Sequence, residues 1–515
     1  MKLHGVLSAL AFCVLASAAV WMGGLNQDEG WYLYAAQLVG EGRKPYADFF
    51  YTQGPLMPIL YSLISFSWES FGLLGARIAT CLIGLSGILC FASLASLLAP
   101  EGRRRTAFVA VFLLLGCNLY HVYYVSIPKT YAIAALFVAL GFLLVVRALT
   151  AGSPRARAVL LASGGFSLAM AAGARISLGA LLAVVGFALL FAFRRFRWSF
   201  LWFGIGGMAG LAAVYGPFVC DLVSFRGLCA AQTYHAMRGG FSLVFVVGSL
   251  SRLIRWYLPL FIVLGLALFL LRTPSEEDAV AVVRRFAVRL VVMGFSAVFA
   301  VQMLAPFPYE DYQVPVMGLL AVAGVVVVMS FRQSGGSPIP ERTFMLLTLG
   351  LSFASSFGSP LLEKWMVNGQ DRFWPLKKDK SELAQLREVA DRIEKLDPGG
   401  KTLLTQDLYI AIETGRRVPD GLEMGPFSVL SDSEWRTLLS SASCPVAALS
   451  GYSFAVNPPV CDERPLADQM AYWRILQNRY DRVLVVPEFG QNATTLMLLR
   501  RKKEASTTQE EEPGK

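Results

Sequence analysis

Apolar runs as long as a bilayer is thick recur along the whole first two thirds of this chain. A hydrocarbon core about 30 Å thick takes roughly 20 residues of helix. Runs that meet this length lie at 4–24, 73–99, 106–126, 129–149, 158–174, 176–193, 199–219, 254–271, 286–305, 313–331 and 343–360. So much apolar chain can satisfy its backbone only as membrane-spanning helices. The composition agrees, with 55% hydrophobic and 16% charged residues and a mean hydropathy of +0.53. Soluble domains are about a quarter charged, so a soluble enzyme is excluded. The expected fold class is mainly α, a polytopic membrane protein with about 11 transmembrane helices and a C-terminal extracytoplasmic α/β domain. The first run has a signal peptide as its alternative, because Lys2 precedes an apolar stretch ending in small residues. Trp21 and Met22 carry that run past a usual cleavage site.

The net charge of +10 does not point to a nucleic-acid partner. Residues 1–360 hold 25 Lys/Arg against 13 Asp/Glu, and residues 361–515 hold 21 against 23. The basic surplus therefore belongs to the apolar part. With the N-terminus inside, the cytoplasmic loops contain Lys2, Arg103–Arg105, Arg147, Arg155, Arg157, Arg194, Arg195, Arg197, Arg272, Arg284, Arg285, Arg289, Arg332 and Arg342, which is 16 of those 25. The positive-inside rule supports this topology and places residues 361–515 outside. Residues 55–72 (PLMPILYSLISFSWESFG) are apolar but contain two prolines and Glu69. Counted as a span, they would put Arg103–Arg105 outside. They are read as a helix on the outer membrane surface, inside a first extracytoplasmic loop of residues 25–72.

No Asp or Glu falls in the middle of any span. Transporters and proton pumps keep ionisable groups near the midplane, so a transporter or lipid flippase becomes the alternative reading, along with a non-catalytic envelope assembly protein. Two acid pairs instead sit just outside span ends, Asp28-Glu29 and Glu310-Asp311. The simpler reading of each is a pair of solvated interfacial charges.

The stretch from Asn26 to Leu56 reads NQDEGWYLYAAQLVGEGRKPYADFFYTQGPL. Asp28 and Glu29 open a helical stretch closed by Gly40 and Gly42. The helix dipole favours ionised carboxylates there, which suits a general base. Trp31, Tyr32, Tyr34, Tyr46, Phe49, Phe50 and Tyr51 supply faces for sugar stacking or, more simply, an interfacial aromatic belt.

The order DE, aromatic helix, G-x-x-P-Y-x-D and a P-L helix start resembles the first outer loop of bacterial GT-C glycosyltransferases. That group includes the lipid A aminoarabinose transferase, protein O-mannosyltransferases and rhizobial lipopolysaccharide glycosyltransferases. The resemblance covers the architecture of the chain, with residue matches at 26–56 and weakly at 306–316. It implies Asp28 as catalytic base with Glu29 beside it. Two departures stand out: Gln53-Gly54-Pro55-Leu56 replaces a Lys-Pro-Pro-Leu motif, and the second acid near span 4 is absent from SIPKTYA, which carries Lys129.

The resemblance implies an integral membrane glycosyltransferase (hexosyl or pentosyl transferase) in the plasma (inner) membrane. Its donor would be a polyprenyl-phosphate monosaccharide and its acceptor an extracytoplasmic cell-envelope glycan, lipid or protein, with inversion at the sugar. Membrane lipids are expected partners and nucleic acid is not. Transfer needs a base and cations for the departing phosphate. Lys129, Arg175, Arg252 and Arg255 lie near outer span ends. Arg175, at a break between spans, offers a fork that matches phosphate. The alternative for each is a charge snorkelling to the interface. Tyr309 and Tyr312 are candidates to donate to phosphate or sugar, and Tyr46, Asp48, Gln53, Glu310 and Asp311 are further loop candidates.

No nucleotide-binding glycine pattern follows a strand. Gly206 and Gly210 lie inside a span at a spacing that suits close helix packing. His4, His121 and His235 are isolated, so no protein-built metal cage is expected, although a divalent cation shared between acids and donor phosphate is compatible. Beyond residue 360 the composition becomes that of a soluble domain, residues 361–503, with helices at 381–396 and near 466–480 and strand-like KTLLT and DRVLVVPE. Residues 504–515 read as a disordered tail. Cys444 with Cys461, and Cys220 with Cys229, are candidate disulfides in an oxidising compartment, with free thiols as the alternative. Asn492-Ala493-Thr494 fits a glycosylation sequon.

Overall fold

The computed structural model describes residues 2–191, 198–237, 240–270, 279–330, 340–357, 380–428, 430–451, 466–491 and 493–502. The chain divides into two compact units. One comprises Met1–Gly24 and Tyr32–Leu383, the other Leu25–Trp31 and Ala384–Lys515.

The first unit is helical. Its elements are α1 (Lys2–Met22), α2 (Gln27–Gly40, from Tyr32 onward), α3 (Leu56–Ser62), α4 (Phe66–Leu98), α5 (Arg104–Gly116), α6 (Leu119–Tyr124), α7 (Thr130–Thr150), α8 (Pro154–Ala174), α9 (Gly179–Phe191), α10 (Ser199–Val219), α11 (Leu222–Met237), α12 (Leu243–Trp256), α13 (Leu258–Leu270), α14 (Ala279–Met303), α15 (Val314–Ser330) and α16 (Glu341–Phe357). Among the described residues, seven helices are long and apolar enough to cross a membrane, or eight if the bent pair α12–α13 is one span. The molecule is a multi-pass membrane protein.

Small residues bring the helices together. α8 packs between α7 and α10. A Cβ on Gly206 of α10 would lie 1.8 Å from the Ala162 carbonyl oxygen of α8, and one on Gly210 would lie 2.6 Å from the Ala169 Cβ. The small-xxx-small spacing therefore lets these two helices touch along their backbones. α15 is almost wholly buried, against α13, α14, α7, α4 and α5.

Several expected spans are modified by polar residues. The run 106–126 is two helices, because the Asn118 side chain accepts from the His121 amide and starts α6 afresh while its own amide donates to the Trp256 carbonyl. The run 254–271 is not straight. α12 and α13 meet near Tyr257 at 90°, which leaves Arg252 and Arg255 on the amphipathic α12. The run 176–193 begins with a 3₁₀ turn, Ile176–Leu178, before the 13-residue α9. In the stretch 55–72, α3 and the first turns of α4 precede a backbone break at Gly72 (φ 61°, ψ −154°), after which α4 continues as a span. Arg77, fully buried in α4, donates to the carbonyls of Val20 (3.2 Å), Gly23 (2.8 Å) and Gly24 (2.9 Å), so it closes the C-terminus of α1.

In the second unit, α17 (Glu382–Leu396) lays Leu386, Val389 and Ile393 into the core. It is followed by α18 (Leu408–Thr414), α19 (Asp432–Ser441), β1 (Val446–Leu449), α20 (Leu466–Arg479), β2 (Tyr480–Phe489) and β3 (Thr494–Arg501). The sheet order is β1-β3-β2, and both pairings are antiparallel. The strand expected at KTLLT is reduced to isolated bridges, Thr402 with Arg417 and Leu404 with Ala447. Cys220, Cys229 and Cys444 are thiols, so the expected Cys220–Cys229 bridge is not formed. Cys461, Asn492 and the tail 504–515 lie outside the described residues.

Candidate acid pair and anion site

The acid pair belongs to the second unit, and the helix start sorts its two members. Asn26 is the cap of α2: its Oδ1 accepts from the Asp28 amide at 3.0 Å, and the Glu29 Oε1 accepts from the Asn26 amide at 3.0 Å. This reciprocal pattern is a capping box in which the cap oxygen takes the second amide of the helix rather than the third. Glu29 is fully buried in that role, whereas Asp28 is half-buried and its Oδ1 accepts from the Trp31 indole at 3.1 Å. The N-x-x-E spacing was the available signal for this division of labour, and the sequence reading used only the nearness of both acids to a helix start.

The same segment is held from its other side. Gln27 Nε2 donates to Asp407 Oδ1 (2.5 Å) and to the Tyr409 hydroxyl (3.2 Å), and the Gln27 amide donates to Gln491 Oε1 (2.8 Å). Asp407 is fully buried, and burial pushes its carboxyl above the usual carboxylate range despite the donors around it. None of these partners was foreseen, because a lone Asp or Gln far apart in sequence carries no local pattern.

In the first unit, four of the other candidates, Lys129, Arg175, Asp311 and Tyr312, fall into one cluster. Lys129 Nζ lies 3.4 Å from Asp311 Oδ2, and the Tyr131 hydroxyl donates to the same oxygen at 2.7 Å. Asp311 thus answers Lys129, although both are largely buried. Arg175 is 8% exposed, and its guanidinium lies between two aromatic faces, 4.8 Å from the Tyr131 ring centre and 4.7 Å from that of Tyr312. Among the described residues its guanidinium donates to Thr130 Oγ1 (3.2 Å), its Nε–H has no acceptor, and no carboxylate pairs with it. Cation–π contacts, about 0.5–2 kcal/mol each, offset part of the cost of burying that charge. They do not neutralise it.

Glu310 is paired separately, with Arg252 at 3.1 Å and the Ser249 hydroxyl at 2.9 Å. Tyr309 is 41% exposed and rings with Phe245 and Tyr312. Arg255 is exposed on α12. The loop candidates do structural work. The Tyr46 hydroxyl donates to the Gln53 carbonyl and its backbone is left-handed (φ 69°), while the exposed Asp48 accepts from the Lys44 amide at 2.6 Å and closes that turn. Among the described residues no three His, Cys, Asp or Glu side chains converge as metal ligands.

No protein-family model matches the sequence, and no curated protein matches it. Solved structures do. ArnT from Cupriavidus metallidurans bound to undecaprenyl phosphate is similar with a TM-score of 0.61 at 14% identity, over 96% of this chain and 97% of that one. Its apo state matches equally. The oligosaccharyltransferase of Archaeoglobus fulgidus in complex with Zn and sulfate is similar with a TM-score of 0.50 at 12% identity, over 94% of this chain and 72% of that one. This chain has the same fold as these structures. The expected architecture of many spans followed by a C-terminal domain agrees with theirs, even though sequence identity has fallen too low to carry residues across.

Proposed function

We propose that the chain is a membrane glycosyltransferase that moves a monosaccharide from a polyprenyl-phosphate donor to an extracytoplasmic glycan, lipid or protein. The observation that carries this reading is the buried, uncompensated guanidinium of Arg175. A buried cation without a carboxylate is costly unless an anion completes it. Local charge counting narrows the anion. Among the described residues of this cluster Lys129 pairs with Asp311 and Arg252 with Glu310, so the Arg175 guanidinium is the charge proposed to meet a phosphodiester bearing one negative charge. That the similar ArnT structure holds undecaprenyl phosphate accords with this class of donor.

In this reading Arg175 meets the phosphate oxygens and gains strength as charge develops on the leaving phosphate. The Tyr131 and Tyr312 rings hold the guanidinium in place. Asp28, at the start of α2, is the proposed base that takes the proton of the acceptor hydroxyl, and attack of that oxygen on the anomeric carbon with departure of the phosphate inverts the centre. Glu29 keeps the helix start in order. The catalytic side is the extracytoplasmic one, in the plasma membrane.

The test is to offer the purified protein a panel of sugars linked to polyprenyl monophosphate and to polyprenyl pyrophosphate. Transfer with release of polyprenyl phosphate and inversion, read by NMR, is expected from the monophosphates alone. Transfer only from pyrophosphates would overturn the charge argument. Protease added to right-side-out vesicles should reach the second unit and spare Arg103–Arg105; protection of that unit would reverse the sidedness.

A further inference from the structure

Within the second unit, the segment 25–31 is gripped at more points than a surface loop needs. Gln27 and Gly30 are three residues apart and so share one face of α2. On that face Gln27 meets Asp407 and Tyr409, and the Gly30 Cα sits so close to α18 that an added Cβ would lie 2.3 Å from the Tyr409 amide nitrogen. Asp28 and Trp31, also three apart, occupy the neighbouring face. The grip is thus on one side of the helix turn and the half-exposed carboxylate on another. At Asn26, Gln27, Asp28 and Glu29 the amides are all engaged, two by the capping box, one by Gln491 and one by the Asn26 carbonyl.

We propose that Asp407 is a positioning residue: through Gln27 it sets the rotation of the first turn of α2 and thereby the direction of the Asp28 carboxylate. Asp407 touches no reacting atom, being fully buried among the Gln27 amide, the Tyr409 hydroxyl and Ser450. A carboxylate suits this place because it accepts from Gln27 and Tyr409 on one oxygen, which fixes the Gln27 side chain against two partners at once. Misplacing a catalytic group by about 1 Å can cost on the order of 100-fold in rate, so a rigid anchor at the adjacent residue has kinetic weight. The inference rests on the reading of Asp28 as base.

The experiment uses the full chain in nanodiscs, with Gln27→Ala, Asp407→Ala, the double variant, and the exchange pair Gln27→Glu with Asp407→Asn. Hydrogen exchange across residues 26–30 should rise at least tenfold in Gln27→Ala, a truncation of a buried side chain whose effect on global folding is read separately by thermal unfolding, and return towards wild type in the exchange pair. With polyprenyl-phosphate sugars as donor, kcat should fall about tenfold in either single variant with the donor KM unchanged within twofold, and the double variant should be no worse than either single one. Unchanged exchange in Gln27→Ala overturns the positioning role, as does a fall in kcat that simply multiplies in the double variant. If the intact protein transfers no sugar at all, the functional reading fails, and the exchange measurements still decide whether Asp407 orders the segment.

Discussion

Arg175 in the first unit and Arg416 in the second are both buried arginines, and both keep an Nε–H without an acceptor. Their surroundings differ in charge. Arg416 is held by Asp397 at 2.6 Å and Glu394 at 2.9 Å, and it ties the end of α17 to the end of α18. The bond that Glu394 also accepts from the Gly399 amide, with Arg416 beside it, holds its carboxyl below the usual range. Arg175 has a hydroxyl and two aromatic rings instead. A guanidinium matched by carboxylates is finished by the fold, while one matched by rings keeps its charge. On the proposed reading that charge is what an arriving anion meets, so the contrast sets a structural arginine beside a proposed binding one.

The largest effect should come from the proposed base. Asp28→Asn is expected to lower transfer about 10²- to 10⁴-fold with thermal stability unchanged, measured in a donor-turnover assay. A loss below tenfold would reduce the pair to interfacial charges. Next, Arg175→Ala should weaken donor binding about 10- to 100-fold, as loss of a charged hydrogen-bonding partner does, and Arg175→Lys should recover only part because the fork is lost. Arg416→Met should do the opposite, lowering the stability of the second unit by about 1–3 kcal/mol in thermal unfolding while the donor KM stays level. If Arg416→Met moved KM and Arg175→Ala moved only stability, the comparison would be inverted. Lys129→Met should cost less than about tenfold in donor affinity, since Asp311 already answers that charge, and Asp311→Asn should tighten anion binding by restoring it. The smallest effect is expected for Glu29→Gln, below about fivefold in turnover, because a glutamine caps Asn26 as well as a glutamate does.

Hydropathy made the membrane-spanning helices legible, and the DE pair with its helix start was legible as a motif. The bends were not. Asn118 and Tyr257 break apolar runs from within, and their effect comes from neighbours such as the Trp256 carbonyl and the His121 ring that contact only after folding. The same holds at the site. Lys129, Arg175, Asp311 and Tyr312 were all candidates from their place at span ends, but their pairing decides their roles, and pairing between residues up to 182 positions apart has no linear signature. Tyr131 was missed because a tyrosine in the first turn of a span is indistinguishable from the aromatic belt. Asp407 was missed because a soluble-domain aspartate reads as solvated until it is seen buried.

The clasp that Arg77 places on the end of α1 bears on how the molecule is made. The carbonyls of Val20, Gly23 and Gly24 leave the ribosome long before the guanidinium that satisfies them, 54 residues separating Gly23 from Arg77. At about 5–20 residues per second the wait is about 3–11 s. During it these carbonyls lack the partner they have in the folded protein. Pairing with Arg77 then holds the two ends of residues 24–76 together, so that one side chain joins the end of α1 to α4 across the whole of that loop.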